Sequence, residues 1–327
     1  MRLAMFRPAG ARAGDWRLGA AVDDEMLDLE TAAVAWAREQ PRDAPAVALP
    51  DSILGLLRRG DEAMSAVARV HDWACNHRTG AALQPMFVPL AACALDAPLR
   101  PGKLITLARN YHEHVAEHGL THTGKVPSAS IKASSSLAGP YDDIARPAVE
   151  RQLDYETELA VVIGRRCRNV PQARAYEVVA GYTVLSDIVA RQVLKIERAA
   201  GNQYLGKMFD SFGPLGPWLV TKDEIADPMN LTITTRVNSE IRQHSNTGRM
   251  IWNIPQLVAY FSQATLEPGD IISTGTPAGV AAGRKPHETP WYLLPGDVIE
   301  CEVEGVGRLR NRVVEDTSAD VSWDWTA

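Results

Sequence analysis

The sequence predicts an α+β fold, mostly β and built on curved sheets, and three observations carry that prediction. From about residue 100 onward the apolar stretches are short, rich in β-branched residues and cut often by glycine and proline. Two similar units, Leu266-Glu267-Pro268-Gly269-Asp270-Ile271-Ile272 and Leu294-Pro295-Gly296-Asp297-Val298-Ile299, place Pro then Gly at the centre of a type II turn that feeds a β-branched strand. No repeat of solenoid or propeller length recurs along the chain.

Taken in order, residues 1–48 alternate short β-like pieces with turns. Asp51 to about His77 reads as helical, with Asp51 as N-cap for Ile53, Leu54 and Leu57, and Gly60 splits that stretch in two. The segment Ala97-Pro98-Leu99-Arg100-Pro101-Gly102 marks a boundary, so the chain divides into a small N-terminal domain, residues 1–99, and a larger domain, residues 100–327.

Composition narrows the function classes. The 327 residues are 46% hydrophobic, as in a soluble globular protein, and the net charge of −6 comes without a basic block, which argues against nucleic acid as a partner. No stretch approaches the roughly eighteen uninterrupted apolar residues of a membrane span. The start of the chain lacks the apolar core of a signal peptide; its three arginines among residues 1–14 resemble a transit peptide, but a first strand followed by a Pro/Gly turn fits better. Cys75, Cys93, Cys167 and Cys301 are far apart and read as reduced, mostly core residues of a cytoplasmic protein.

The chemistry centres on the run from Asp154 to Gly164. Asp154, Glu156 and Glu158 fall on every second residue, which places them on one face of a strand about 6.6 Å apart. Leu159-Ala160-Val161-Val162-Ile163 then continues as a strand buried on both faces. The spacing also fits the solvated face of an antiparallel strand. A further acid, Asp187, closes a second β-branched and aromatic run and favours the interior reading. Clustered buried carboxylates need a cation or shifted pKa values, and oxygen-only ligands favour Mg²⁺, Mn²⁺ or Ca²⁺ over Zn²⁺.

Upstream, Asn110 and Glu113 form a capping-box variant and Gly119 a C′ residue, so a short helix is expected over about 111–118. His114 and Glu117 are i,i+3 neighbours on it, a carboxylate beside an imidazole as a general base acting on water requires. The letters His114-Val115-Ala116-Glu117-His118 also match an inverted zinc-protease pattern, which is set aside because Gly119 ends the helix and no long apolar face flanks it. Three pieces suit an anionic substrate: Lys207 after Gly206, the turn Thr274-Gly275-Thr276-Pro277-Ala278-Gly279, and Lys132 in a polar loop.

In this order, Arg109-Asn110-Tyr111 with His114 and Glu117, the Asp154–Gly164 run, Asp187 with Ala190-Arg191, Gly206-Lys207, the Gly213–Trp218 loop, the Thr274–Gly279 turn and the Leu293–Glu300 run resemble the signatures of the fumarylacetoacetate hydrolase superfamily over roughly residues 100–315. The resemblance implies a mixed β-roll and a homodimer. It implies that Glu156, Glu158 and Asp187 hold Mg²⁺ or Mn²⁺, with Ca²⁺ able to replace it in crystals. By the same resemblance Lys207 is expected beside the ion, His114 and Glu117 as an acid/base dyad on a segment that closes over substrate, and Arg109, Tyr111, Lys132 and Thr276 as contacts to a small anionic keto acid. Asp154 is held as a supporting acid rather than a ligand. The activity expected is C–C hydrolysis of a 2,4-diketo acid, acylpyruvate-like or fumarylpyruvate-like, in aromatic-compound catabolism. The ion stabilises a pyruvate-type enolate, and water activated by His114 attacks the distal carbonyl. The same site would serve an oxaloacetate decarboxylase or a hydroxymuconate-type isomerase, and a keto-acid sensor is the non-enzymatic alternative. Ser186, Leu194, Ile131-Lys132-Ala133 and Asn238-Ser239 depart from the commoner family residues and leave the substrate open.

Overall fold

The β-branched run expected to be buried on both faces is the strand Thr157–Ile163, buried at all of its positions, and the largest sheet is assembled around it. The computed structural model of the chain describes residues 1–40, 48–78, 86–121, 124–285 and 291–317. Thr157–Ile163 pairs antiparallel with Val179–Ser186 on one side and with Ile271–Ser273 on the other. From Val179–Ser186 the sheet continues through Gly213–Thr221 to Arg2–Pro8, Arg17–Val22, Glu25–Asp28 and Phe87–Pro89. In the other direction it runs through Leu104–Ala108 to Ser128–Lys132. A second sheet of five strands orders Glu240–Asn246, Thr232–Val237, Val298–Val303, Gly307–Glu315 and Ile144–Arg146. The fold is thus mostly β, as the sequence predicts, and its mixed parallel and antiparallel pairing is what the family resemblance implies.

The turn chemistry is realised locally. Gly269 and Gly296 have φ of 88° and 99°, and the strands Ile271–Ser273 and Val298–Val303 begin two residues later. Asn238 and Ser239 both take positive φ, 50° and 71°, as a two-residue hairpin between Thr232–Val237 and Glu240–Asn246 demands.

Several expectations for the first hundred residues are corrected. The helix Leu29–Glu39 lies within the stretch read as strands and turns; Asp28 caps it by accepting from the Thr31 N–H at 3.0 Å. The next helix, Ile53–Arg59, is capped by Ser52 rather than Asp51, and Gly60 (φ 76°) does separate it from Asp61–Asn76. Only Cys301 is fully buried, so the cysteines are not mostly core. One apolar core runs from Ile105 to Val313, while a second mixes Leu3, Leu56 and Val70 with Leu104, Ala160 and Ile271. The large sheet and this second core therefore run across the expected boundary at residues 99 and 100. Among the described residues no helix is long and apolar enough to cross a membrane.

Candidate active site

Strand pairing brings the acids together. Thr157 sits opposite Ser186, so the next residue outward on each strand, Glu156 and Asp187, face each other, and the Asp187 N–H donates to the Glu156 carbonyl at 2.8 Å. Glu158, two residues along from Glu156, shares its face. One carboxylate oxygen from each of Glu156, Glu158 and Asp187 lies within 4.8 Å of the others, and all three residues are buried. Asp154 stands apart. It accepts from the N–H groups of Tyr155, Ala281 and Ala282 and from Arg191 Nε at 2.8 Å, so its lone pairs are taken.

Two cations face the triad. Arg191 Nη2 donates to Glu156 Oε1 at 2.7 Å, and Lys207 Nζ lies 2.9 Å from Glu156 Oε2 and 2.5 Å from Asp187 Oδ2. Lys207 is placed by its neighbours: the Glu197 carboxylate accepts from the N–H groups of Tyr204, Leu205 and Gly206. A Cβ at Gly206 would come 2.8 Å from that of Leu194, so only glycine lets this turn lie against the helix Arg191–Ala199.

These charges set the protonation states. Burial raises the Glu156 carboxyl, but Lys207 and Arg191 outweigh it and hold the group well below the usual range. Burial and then the Asp187 charge push Glu158 well above that range. Lys207 is buried too, yet Asp187, Glu156 and Glu158 keep its ammonium charged.

The triad fits a divalent cation. Glu158 Oε1 is buried with no hydrogen-bond partner, and Asp187 Oδ1 has the Lys132 ammonium at 3.1 Å but no aligned hydrogen bond. Lys207 and Arg191 offset part of the charge and leave carboxylate oxygens unpartnered, as a hard ion with oxygen ligands requires.

The His–Glu pair forms on the helix His112–Glu117, with His114 Nδ1 2.6 Å from Glu117 Oε1. The capping box does not form. Tyr111 is the N-cap, and Asn110 instead binds the main chain of Trp252 and Thr274 while Glu113 takes Ser245 Oγ and Arg249. Long-range partners thus outcompete the local cap, and they dock the helix. Gly119, at φ 69°, does end it.

A cavity of about 410 Å³ reaches the triad at Glu156 and the His–Glu pair at His114, with Arg109, His118, Arg191, Arg198, Lys207 and Thr276 also on its wall. Arg109 has φ 57°, a left-handed conformation uncommon outside glycine. Burial, then Arg191 and Arg109 nearby, lower the pKa of Arg198. Burial and His114 lower that of His118.

The remaining expected contacts differ from the sequence reading. Tyr111 is fully buried and does not line the cavity. Lys132 ends the strand Ser128–Lys132 rather than lying in a polar loop; its side chain is fully buried, and Nζ donates to the carbonyls of Lys207 and of Phe212 (2.9 Å). Thr276 lines the cavity, but its hydroxyl donates to the Thr157 carbonyl and accepts from Gln243 Nε2. The N–H groups of the Thr274–Gly279 turn are taken by carboxyl groups of the protein itself: Gly275 N–H donates to Glu158 and Gly279 N–H to Glu117. Arg198 and Gln203 were not picked out from sequence, which offers no periodic or motif signal for them, and His118 was met there only as a letter of the pattern set aside.

Lys132→Met is expected to cost stability before catalysis, about 3–5 kcal/mol by urea unfolding, because it removes one of the two ammonium groups beside the buried Asp187 and leaves two buried carbonyls without their donor. An unchanged unfolding midpoint with a raised KM would return Lys132 to the substrate.

The family model for the fumarylacetoacetate (FAA) hydrolase C-terminal domain matches residues 103–314. The chain belongs to the fumarylacetoacetate hydrolase family. Within it, the chain is 42% identical over 270 residues to the oxaloacetate tautomerase Fahd2a of Rattus norvegicus, described as mitochondrial, covering 82% of this chain and 81% of that protein. The structure of maleylpyruvate hydrolase from Sphingobium sp. SYK-6 in complex with manganese(II) ion and pyruvate is 32% identical with a TM-score of 0.71, covering 96% of this chain and 99% of that one. The 2-hydroxyhepta-2,4-diene-1,7-dioate isomerase from Mycobacterium marinum is 34% identical with a TM-score of 0.60, covering 71% and 81%. These relatives of the family are enzymes, with different reactions.

Proposed function

We propose that this chain is a divalent-metal-dependent enzyme acting on small 2-keto diacids, with oxaloacetate as substrate and exchange between its enol and keto forms as the reaction. One observation carries the reading. The cavity reaches the carboxylate triad at Glu156, grouped within 4.8 Å with Glu158 and Asp187, which carry the unpartnered oxygens, and its wall also holds two guanidiniums, Arg109 and Arg198, that have no carboxylate partner among the described residues. A dianion with a chelating end and a free carboxylate matches both ends, and the 42% identity to an oxaloacetate tautomerase agrees.

Held by Glu156, Glu158 and Asp187, a Mg²⁺ or Mn²⁺ ion would supply Lewis acidity toward the 1-carboxylate and 2-keto oxygen. His114 takes a proton from C3 and returns it to the 2-oxygen, so the isomers exchange without loss of atoms. Glu117, fixed by the Gly279 N–H at 2.8 Å, holds the imidazole and balances its charge when protonated. Lys207 stands beside the developing negative charge on the oxygen. Arg109 and Arg198 hold the 4-carboxylate at the other end, Arg198 being steadied by Gln203 Oε1 at 3.0 and 3.2 Å.

Hydrolysis of acylpyruvates is the second reading, and the His114–Glu117 pair favours it: an imidazole backed by a carboxylate is equally suited to taking a proton from water. Ultraviolet loss of the enol band separates the two when oxaloacetate, an acylpyruvate panel and a hydroxymuconate diacid are run with Mg²⁺, with Mn²⁺ and after EDTA. Enol–keto exchange of oxaloacetate that EDTA removes and Mn²⁺ restores is the expected result. Cleavage of an acylpyruvate with no effect on oxaloacetate would replace the first reading with the second.

A further inference from the structure

The pattern His114-x-x-Glu117-His118 carries no protease, yet the fold gathers its side chains. Besides the His114–Glu117 contact of 2.6 Å, the His114 and His118 rings lie 4.8 Å apart at 88°. One ligand atom can be taken from each of the three residues so that all lie within 4.8 Å of one another. The helix ends at Glu117 and His118 is its C-cap, φ −87° and ψ 6°, directly after the last helical residue, so the two histidines lie one turn apart on one face. Glu117 is already aimed, its other oxygen fixed by Gly279. The His118 imidazole has no hydrogen-bond partner among the described residues, and it lies on the cavity wall.

We propose that His114, Glu117 and His118 form a second cation site that takes Zn²⁺ and, when filled, stops turnover. Two imidazoles and one carboxylate make a three-ligand zinc set with an open fourth position. The triad of Glu156, Glu158 and Asp187 offers oxygen alone and selects hard ions, so the two sites sort cations by ligand chemistry. Zinc on the helix occupies the imidazole and carboxylate that must carry the proton, and its binding displaces the proton shared between them. The inhibition rests on the catalytic reading of His114 and Glu117 above, whereas the binding does not.

Equilibrium dialysis against Zn²⁺, with the protein kept saturated in Mn²⁺, separates the two. His118→Ala is expected to bind one Zn²⁺ fewer than wild type while keeping its Mn²⁺, and Glu158→Gln to lose Mn²⁺ while keeping the helix-bound Zn²⁺. Inhibition of oxaloacetate turnover by Zn²⁺, with each protein referred to its own zinc-free rate, should weaken about tenfold or more in His118→Ala, the least that losing a ligand costs. Equal zinc binding by wild type and His118→Ala overturns the site. Zinc that depends on His118 but leaves turnover untouched overturns the inhibition. If no keto acid is turned over at all, the proposed function fails while the dialysis still decides the site.

Discussion

Glu158→Gln is expected to abolish divalent-ion binding and to lower metal-dependent turnover of oxaloacetate by at least about 10²- to 10³-fold, the scale on which one preorganised electrostatic group acts. The same change should raise the melting temperature of the metal-free protein. Glu158 is wholly buried, and burial and the Asp187 charge push its carboxyl well above the usual range. Glutamine keeps an acceptor for Ser273 Oγ and the Gly275 N–H while removing the charge that repels Asp187. The pH dependence follows from the sign of the shift. A carboxyl raised on folding contributes stability that is fully present below its unfolded value and is lost as pH rises through its raised folded value. Metal-free wild type should therefore lose stability on the alkaline side of the ordinary carboxylate range, and Glu158→Gln should lack that limb. Glu156, held low by Lys207 and Arg191 against its burial, has the opposite sign: its contribution is present above the ordinary value and lost as pH falls. An ion needs Glu158 ionised, so binding releases a proton and tightens as pH rises. Melting curves against pH, with and without Mn²⁺, measure all of this; a wild-type Mn²⁺ shift in Glu158→Gln removes the ligand assignment.

The gathering of the acids was legible because it rests on local rules. Period-two spacing puts Glu156 and Glu158 on one face, and a buried run directly after them fixes which face that is. The fold class was legible for the same reason, since Gly269, Gly296 and Gly119 carry their backbone angles with them. What could not be read are the partners that arrive from far along the chain. Lys132 looks like a loop lysine until Phe212 and Asp187, both distant in sequence, enclose it. Asn110 carries the local signature of a cap, and the main chain at Trp252 and Thr274 claims its amide instead. The Thr274–Gly279 turn offers the N–H donors expected of it, but the Glu158 and Glu117 carboxyl groups take them. Donor geometry is written in the sequence of a turn; the identity of the acceptor is written in the fold.

His114→Ala is expected to lower kcat on oxaloacetate by about 10²- to 10⁴-fold, the range for a positioned acid or base, while the Mn²⁺-induced gain in melting temperature stays. The two readouts separate because His114 contacts Glu117 and the cavity but contributes no atom to the carboxylate triad. Glu117→Gln should lose less, since the imidazole remains and only its orientation and charge balance are weakened, so the order wild type, Glu117→Gln, His114→Ala is itself a result. Binding of pyruvate to the Mn²⁺-loaded protein should survive in both variants, because the chelating end of the cavity is untouched. A protein that only senses keto acids would bind pyruvate equally in all three and turn over nothing in any. A His114→Ala variant with wild-type kcat would leave the metal site standing and remove the imidazole from the chemistry. Proton transfer would then have to pass to Lys207, whose ammonium is held charged by Asp187 and Glu156 and is poorly suited to act as a base.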